Sequence, residues 1–363
     1  MGFLSVTEFK PDDVSPAFTE NLPDAEAVNT DEPIKILSWN IGYAGLDRDA
    51  DFFMDGGKMV NPVDEEHVRN NLAAIGEFIK AQDADINLLQ EIDRKANRSK
   101  NINELEYFKE NLNQSSAFAQ NFVCRFVPYP LPPIGYVDAG VATFTDYASE
   151  YGAVRHSLPC PFSWPVRMAN LKRCMLETRY RLENGRDLVI INLHLEAYDE
   201  GDGKEAQTKA LIGLLESEYE KENYVIAGGD FNQTFPEAVK AFPVNDDSAW
   251  VPGTLENDIL PENWNFVYDT ETPSCRLLNK PYTDFEDMQH YILDGFIVSP
   301  NVEVVSVENA DLEFANSDHN PVVMNVNLIY SKTQKLKLLR FLYQHFTAHK
   351  FLSFESSHLR ISS

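Results

Sequence analysis

The sequence predicts one layered α/β domain over residues 34–329. Three observations carry this expectation. Short apolar runs of strand length alternate with longer segments whose apolar residues recur at helical spacing. No fixed-period repeat and no Gly/Ser-rich linker divides the chain. Polar residues suited to chemistry fall at strand ends, where loops held by a rigid sheet can converge.

Residues 34–39, IKILSW, form the first expected strand, broken by Asn40-Ile41-Gly42. After a polar loop over 43–62, Asp64 is placed to cap a helix with Glu65 and Glu66 in its first turn. Val68, Leu72, Ile75 and Ile79 give that helix one apolar face. A strand is expected over 85–91, then a helix over 101–112 with Ile102, Leu105, Phe108 and Leu112 on one side. The Pro-rich stretch 128–140 predicts a loop, and 141–144 and 173–180 predict strands around a Pro/Trp loop. Strands over 188–195 and 224–227 flank an amphipathic helix over 204–221, with Leu211, Leu214 and Leu215 buried. Residues 234–287 are loop-rich, and strands return at 291–299 and 321–328.

The composition suits a folded protein: of 363 residues 43% are hydrophobic, 24% are charged, and the formal net charge is −26. Such a charge argues against a broad nonspecific nucleic-acid surface, which needs a basic field. The charge is uneven. Residues 1–33 form an acidic extension, whereas residues 330–363 form a basic, aromatic tail holding Lys332, Lys335, Lys337 and Arg340. That tail is expected to be helical and to pack on the acidic body or touch an anionic membrane or partner. No apolar run approaches the roughly 20 residues that span a bilayer. The first residues lack a secretion pattern, and the four scattered cysteines show no metal-ligand spacing. The expectation is a cytoplasmic protein with reduced thiols.

Six polar sites punctuate the apolar strands: Trp39-Asn40, Gln90-Glu91, Asn192-Leu193-His194, Gly229-Asp230-Phe231-Asn232, Asp294-Gly295 and Ser317-Asp318-His319. Each alone has a structural explanation, such as a strand end, a core histidine or an Asx turn. Six within one fold suggest phosphoester hydrolysis. Glu91 can hold Mg²⁺, with Mn²⁺ as a substitute, because such ions prefer hard oxygen ligands. Asp230 can activate a water, with Asn40 and Asn232 fixing its line of attack. His194 and His319 can stabilise the developing oxyanion. Asp318 can assist the metal, and Asp294 can orient a histidine.

These segments, SWNIG (38–42), LLQEID (88–93), NLHL (192–195), GGDFN (228–232), ILDGFIVS (292–299) and SDHNPV (317–322), resemble the endonuclease/exonuclease/phosphatase family in identity and order. That resemblance covers about 34–329. It implies a four-layer α/β/β/α sandwich and divalent-metal-dependent cleavage of a phosphoester. It also implies that Asn40, Glu91, His194, Asp230, Asn232, Asp294, Asp318 and His319 make the site, with Asn40, Glu91 and Asp318 at the metal.

The acidic balance favours a small phosphorylated metabolite over nucleic acid. Two basic groups are candidates for clamping it: Arg94, Arg98 and Lys100 after the first site loop, and Arg167, Lys172 and Arg173 near the Pro/Trp loop. The segment 51–62, DFFMDGGKMVNP, with SWP at 163–165, resembles a bacterial subgroup of the family that includes phosphatases of maltose 6'-phosphate. The expected activity is therefore a Mg²⁺-dependent phosphomonoesterase on a phosphorylated sugar. The alternatives are a nuclease-like or sphingomyelinase-like phosphodiesterase, and a noncatalytic binding protein on the same fold.

Overall fold

Alternation of apolar side chains along the first expected strand already divides the interior into two cores. In the computed structural model Ile34 and Ile36 face one cluster, while Leu37 and Trp39 face another. The structure describes residues 2–199, 201–245 and 249–329. The basic tail and the contacts expected of it lie outside the described residues.

Thirteen strands share one hydrogen-bonded array. In chain order they are β1 (Val14–Glu20), β2 (Ile34–Asn40), β3 (Ile86–Ala96), β4 (Ser115–Val127), β5 (Gly135–Thr145), β6 (Ala153–Ser157) and β7 (Cys174–Arg181). There follow β8 (Asp187–His194), β9 (Tyr224–Asp230), β10 (Asn265–Val267), β11 (Asp294–Val298), β12 (Val302–Asn309) and β13 (Val322–Leu328). Their spatial order is β10-β11-β9-β8-β7-β6-β1-β4-β5-β3-β2-β13-β12. The array folds into two facing sheets joined at β1, whose residues pair with β4 on one edge and β6 on the other.

Ile34, Ile86, Leu88, Ile190, Ile226 and Phe296 fill the space between the sheets. The outer face of the β2–β3–β5 sheet packs against helices Glu65–Gln82 and Glu104–Leu112 through Val68, Leu72, Ile75 and Phe108. The outer face of β8 and β9 packs against helix Asp202–Tyr219 through Leu211 and Leu215. The layers therefore run α/β/β/α, as the resemblance implied.

Asp64 caps its helix as expected, its carboxylate accepting the His67 N–H at 2.8 Å. The next helix starts at Glu104 rather than residue 101, because the Asn103 side chain caps it. Sequence reasoning gave no strand for 14–20, 115–127 or 302–309, and β5 begins inside the stretch expected to be loop. All four cysteines are unpaired. Among the described residues no helix is long and apolar enough to cross a membrane.

Candidate active site

Backbone register assembles half of the site. Parallel pairing of β8 with β9 sets His194 opposite Asp230, and antiparallel pairing of β9 with β11 sets Asp294 opposite Asp230. Directly opposed residues share a face of the sheet, so three polar side chains stand in one row. Gly229 makes this possible: at φ +146° a side chain there would meet the Leu193 carbonyl oxygen 2.0 Å away.

The facing sheet supplies the other half. β2 ends at Asn40, and a register irregularity in β3 between Leu89 and Ile92 leaves Glu91 at φ +56°. Asp318 and His319 precede β13. They are tied to β2 because the Trp39 indole donates to the His319 carbonyl at 2.8 Å and the Ser317 hydroxyl donates to the Asn40 carbonyl at 2.8 Å. Between the sheets, the Gln90 side-chain amide donates to Asn192 Oδ1 at 2.9 Å.

The eight residues singled out from the sequence meet where the sheets face each other. The Asn40 Nδ2 donates to Asp230 Oδ2 at 3.0 Å and to Glu91 Oε1 at 3.4 Å. The Gly42 N–H holds Asn40 Oδ1 at 3.0 Å and fixes that amide's orientation. Asn232 donates its backbone N–H to Asp230 Oδ1 at 2.8 Å, and its amide donates to the Leu195 carbonyl at 3.0 Å. His194 Nε2 lies 3.3 Å from Asp230 Oδ2. His319 Nδ1 lies 2.7 Å from Asp294 Oδ2, leaving Nε2 3.8 Å from Asp230 and 3.9 Å from Asp318. The Ser274 hydroxyl donates to the same Asp294 oxygen at 2.7 Å and accepts two backbone N–H groups.

Negative charge is in surplus at this buried point. Burial, and the neighbouring Asp294 carboxylate, push Asp230 up to about 6. Burial and Glu91 push Asp318 up to about 7. Burial alone would lower His319, yet Asp294 and the other acids hold it well above its ordinary value. His194 falls well below its ordinary value through burial and the Arg173 charge. Asp294 Oδ1 and His194 Nδ1 have no hydrogen-bond partner among the described residues.

Ligand atoms of Asp230, Asp294 and His319 lie within 4.8 Å of one another. Glu91 and Asp318 add further hard oxygens beside them. A crowded set of buried carboxylates, two of which resist ionisation, fits a divalent cation: the ion supplies the positive charge that the protein withholds.

A cleft of about 550 Å³ opens from these side chains. Of the six basic residues proposed to clamp substrate, Arg98 and Arg173 line it. Arg98 is committed to Asp93 at 2.9 Å and lies 3.6 Å from Glu91, with its guanidinium over the Tyr43 ring. Arg173 is buried 3.7 Å from Glu196, and its Nε and Nη1 lack hydrogen-bond partners among the described residues. Arg94, Lys100, Arg167 and Lys172 do not line the cleft. Arg94 pairs with Asp138 at 2.7 Å and Arg167 with Glu8 at 2.9 Å, while the Lys172 ammonium binds the Arg167 carbonyl. Those partners satisfy Arg94, Arg167 and Lys172 away from the centre.

The cleft also holds residues that sequence reasoning did not select. Asp55, pushed up to about 6 by burial, accepts the Tyr198 hydroxyl at 2.9 Å. Arg276 donates to the carbonyls of Asp47 and Ala50. The DFFMDGG segment was the only available signal for Asp55. Nothing local marks Ser274, Tyr198 or Arg276, whose roles depend on partners distant in the chain.

Comparison with known proteins agrees with this arrangement. The family model for the endonuclease/exonuclease/phosphatase family matches residues 37–319. The chain is similar to the endonuclease/exonuclease/phosphatase from Beutenbergia cavernae (TM-score 0.59, 17% identity, covering 82% of this chain and 72% of that one). It is also similar to the endonuclease/exonuclease/phosphatase from Bacteroides vulgatus (0.51, 16%, 82% and 99%) and to the human Nocturnin catalytic domain with bound sulfate (0.50, 19%, 86% and 97%). None of the curated proteins matches it. With its family segments in order and its Asp–Asp–His cluster assembled, the chain belongs to the endonuclease/exonuclease/phosphatase family and is a metal-dependent phosphoester hydrolase.

Proposed function

We propose that this enzyme hydrolyses a compact phosphodiester by direct attack of water. The observation that carries this reading is the cleft's chemistry: it is lined mainly by apolar side chains, and its cations are committed to protein partners or buried. A phosphodiester carries one negative charge and a monoester close to two, so the diester suits a site already rich in carboxylates. Most of the exposed wall surface is apolar, and this weighs against the phosphorylated sugar expected from the sequence. A long nucleic acid would need a track of free cations that the cleft does not present.

A divalent cation held by Glu91, Asn40 and Asp318 would neutralise charge gathering on the phosphoryl oxygens. Asp230 accepts a proton from water as the water oxygen forms its bond to phosphorus. The bond from phosphorus to the leaving oxygen breaks, and that oxygen takes a proton from solvent. Asn40 and Asn232 hold the Asp230 carboxylate in a fixed plane, which sets the line of attack. His319, kept protonated and oriented by Asp294, donates to a phosphoryl oxygen, and Arg173 offers unpartnered N–H groups nearby.

Hydrolysis of bis(4-nitrophenyl) phosphate with Mg²⁺ or Mn²⁺, compared with 4-nitrophenyl phosphate and maltose 6'-phosphate, tests the reading. Turnover should favour the diester and vanish with chelator. The Asp230→Asn variant should lose about 10²–10⁴-fold in kcat while retaining its circular dichroism. Faster phosphate release from either monoester would overturn the diester assignment.

A further inference from the structure

A second, basic cavity lies apart from the metal-ligand cluster. It encloses about 290 Å³ and is lined by Lys10, Arg167, Lys172 and Arg173, together with Glu8 and Asp13. Three segments build it: residues 8–13 leading into β1, the end of β6, and residues 167–173 leading into β7. Backbone bonds hold these segments together. The Ser157 N–H donates to the Asp13 carbonyl at 2.7 Å, and the Leu158 N–H donates to the Arg173 carbonyl at 2.9 Å.

The charges around this cavity do not balance. Glu8 accepts from Arg167 Nε at 2.9 Å and lies 3.4 Å from the Lys10 ammonium, so one carboxylate serves two cations. The Lys172 ammonium donates to the carbonyls of Arg167 and Asn170, which satisfy its N–H groups without cancelling its charge. Burial holds that ammonium below its ordinary value, and the Arg167 charge lowers it further. Buried Arg155 donates to the Ser157 hydroxyl at 2.6 Å and to the Lys172 carbonyl at 2.9 Å, and it forms no ion pair among the described residues. Arg173 is 4% exposed and lies 3.7 Å from Glu196, with Nε and Nη1 unpartnered among the described residues. Buried charge without a matching counter-charge is costly. In a chain of net charge −26, such a surplus of cations calls for an anion from outside the protein.

We propose that this cavity binds a dianionic phosphate, inorganic or terminal on a small ester, and that its occupancy opposes substrate binding in the cleft. The surplus comes from Arg155, Lys172 and Arg173, so a dianion neutralises more of it than a chloride or a carboxylate does. Guanidinium and ammonium donors also match the several oxygens of phosphate. The coupling follows from Arg173, which lines both the cavity and the active-site cleft. An anion in the cavity offsets the Arg173 charge that would otherwise meet the substrate's phosphoryl group. By linkage, substrate then weakens the anion in the cavity by the same factor. The binding is independent of the choice between monoester and diester, whereas the coupling rests on the role given to Arg173 in the proposed mechanism.

Titration calorimetry of the full chain with inorganic phosphate, at an ionic strength fixed with chloride, tests the binding. With Mg²⁺ the protein should take up one phosphate at the metal centre and one in the cavity, and chelator should abolish only the first. Lys172→Gln should weaken the chelator-resistant site on the order of tenfold. Lys10→Glu should do the same without disturbing the fold, because the Lys10 side chain is 64% exposed. Circular dichroism checks that both variants are folded. Absence of chelator-resistant binding up to about 10 mM phosphate, or binding unchanged in both variants, overturns the site. Glycerol 3-phosphate separates the two sources: tighter binding than inorganic phosphate assigns the cavity to an ester, and equal or weaker binding assigns it to the free ion.

The coupling is read from inhibition by phosphate, with whichever of the three phosphoesters above is turned over. Two phosphates that each oppose substrate should make the apparent KM of the native enzyme curve upward as phosphate rises, at unchanged kcat. Lys10→Glu should keep native activity without phosphate and show a straight-line rise in KM. A straight line for the native enzyme, or a curve that survives Lys10→Glu, overturns the coupling.

Discussion

Asp230 and Asp318 hold their protons to unusually high pH because burial removes the water that would stabilise their charges. The consequence for stability follows from linkage. In the unfolded chain an Asp titrates near 4, whereas in the folded, chelated protein these titrate near about 6 and about 7. Between those values the folded state binds more protons than the unfolded state, so stability falls as pH rises from about 4 to about 7. A bound divalent cation favours the ionised carboxylates and opposes that loss. Thermal denaturation of chelated protein should show a melting temperature contribution that declines across this interval, and excess Mg²⁺ should restore it most strongly at pH 7. Restoration that is equal at pH 5 and pH 7 would show that these two carboxylates do not face the ion. The residues themselves were legible because strand ends with Asn, Asp and His are unusual six times over. The basic residues were not: a cluster of Arg and Lys does not reveal which member is neutralised locally, as Arg94 is by Asp138 and Arg167 by Glu8.

At the scale of elements, β9 carries the site because it is the strand flanked by both β8 and β11. Its register aligns His194, Asp230 and Asp294 only if Gly229 lets the Leu193 carbonyl approach. Gly229→Ala would place a methyl group inside that carbonyl's contact distance at a backbone angle that L-residues avoid, so it should destabilise the fold by about 4 kcal/mol or more. Chemical denaturation measures this, and a midpoint within error of the native protein would refute the steric argument. Elements with a strong period were readable: the helix after Asp64 and the strands at 34–40 and 187–194 match their expected positions closely. β4 was not, because its small and polar residues are buried along most of its length and give no alternation. β12, VEVVSVEN, is half valine at the end of the array, but the adjacent Val304 and Val305 break its period-two alternation at the register irregularity between Val304 and Ser306. Glu91 combines both limits. Its motif was visible, but its left-handed backbone and its turn toward Asn40 come from pairing with β5.

For the whole molecule, the segment with the weakest sequence signal closes the architecture. β1 is short, half-exposed and contains Pro16, yet its seven residues connect the edges of the two facing sheets. Without it, β4 and β6 each present an unpaired edge, the geometry through which sheets recruit other chains. The pairing spans Phe18–Glu20 with β4 and Val14–Ala17 with β6. At about 1 kcal/mol per net hydrogen bond, deleting residues 1–20 should remove on the order of 5 kcal/mol and lower the melting temperature on the order of 10 °C. The two exposed edges should also make the truncated protein self-associate, visible as a shift to larger species in size-exclusion chromatography as concentration rises. The acidic surface opposes that association at low ionic strength, so the shift should grow when salt screens it. A truncated protein that stays monomeric at high salt with an unchanged melting temperature would show that the two sheets are held by their shared core alone. Either result bears on the site, because Asn40 and Glu91 belong to one sheet and His194, Asp230 and Asp294 to the other. Whatever fixes one sheet against the other fixes the 3.0 Å bond from Asn40 to Asp230.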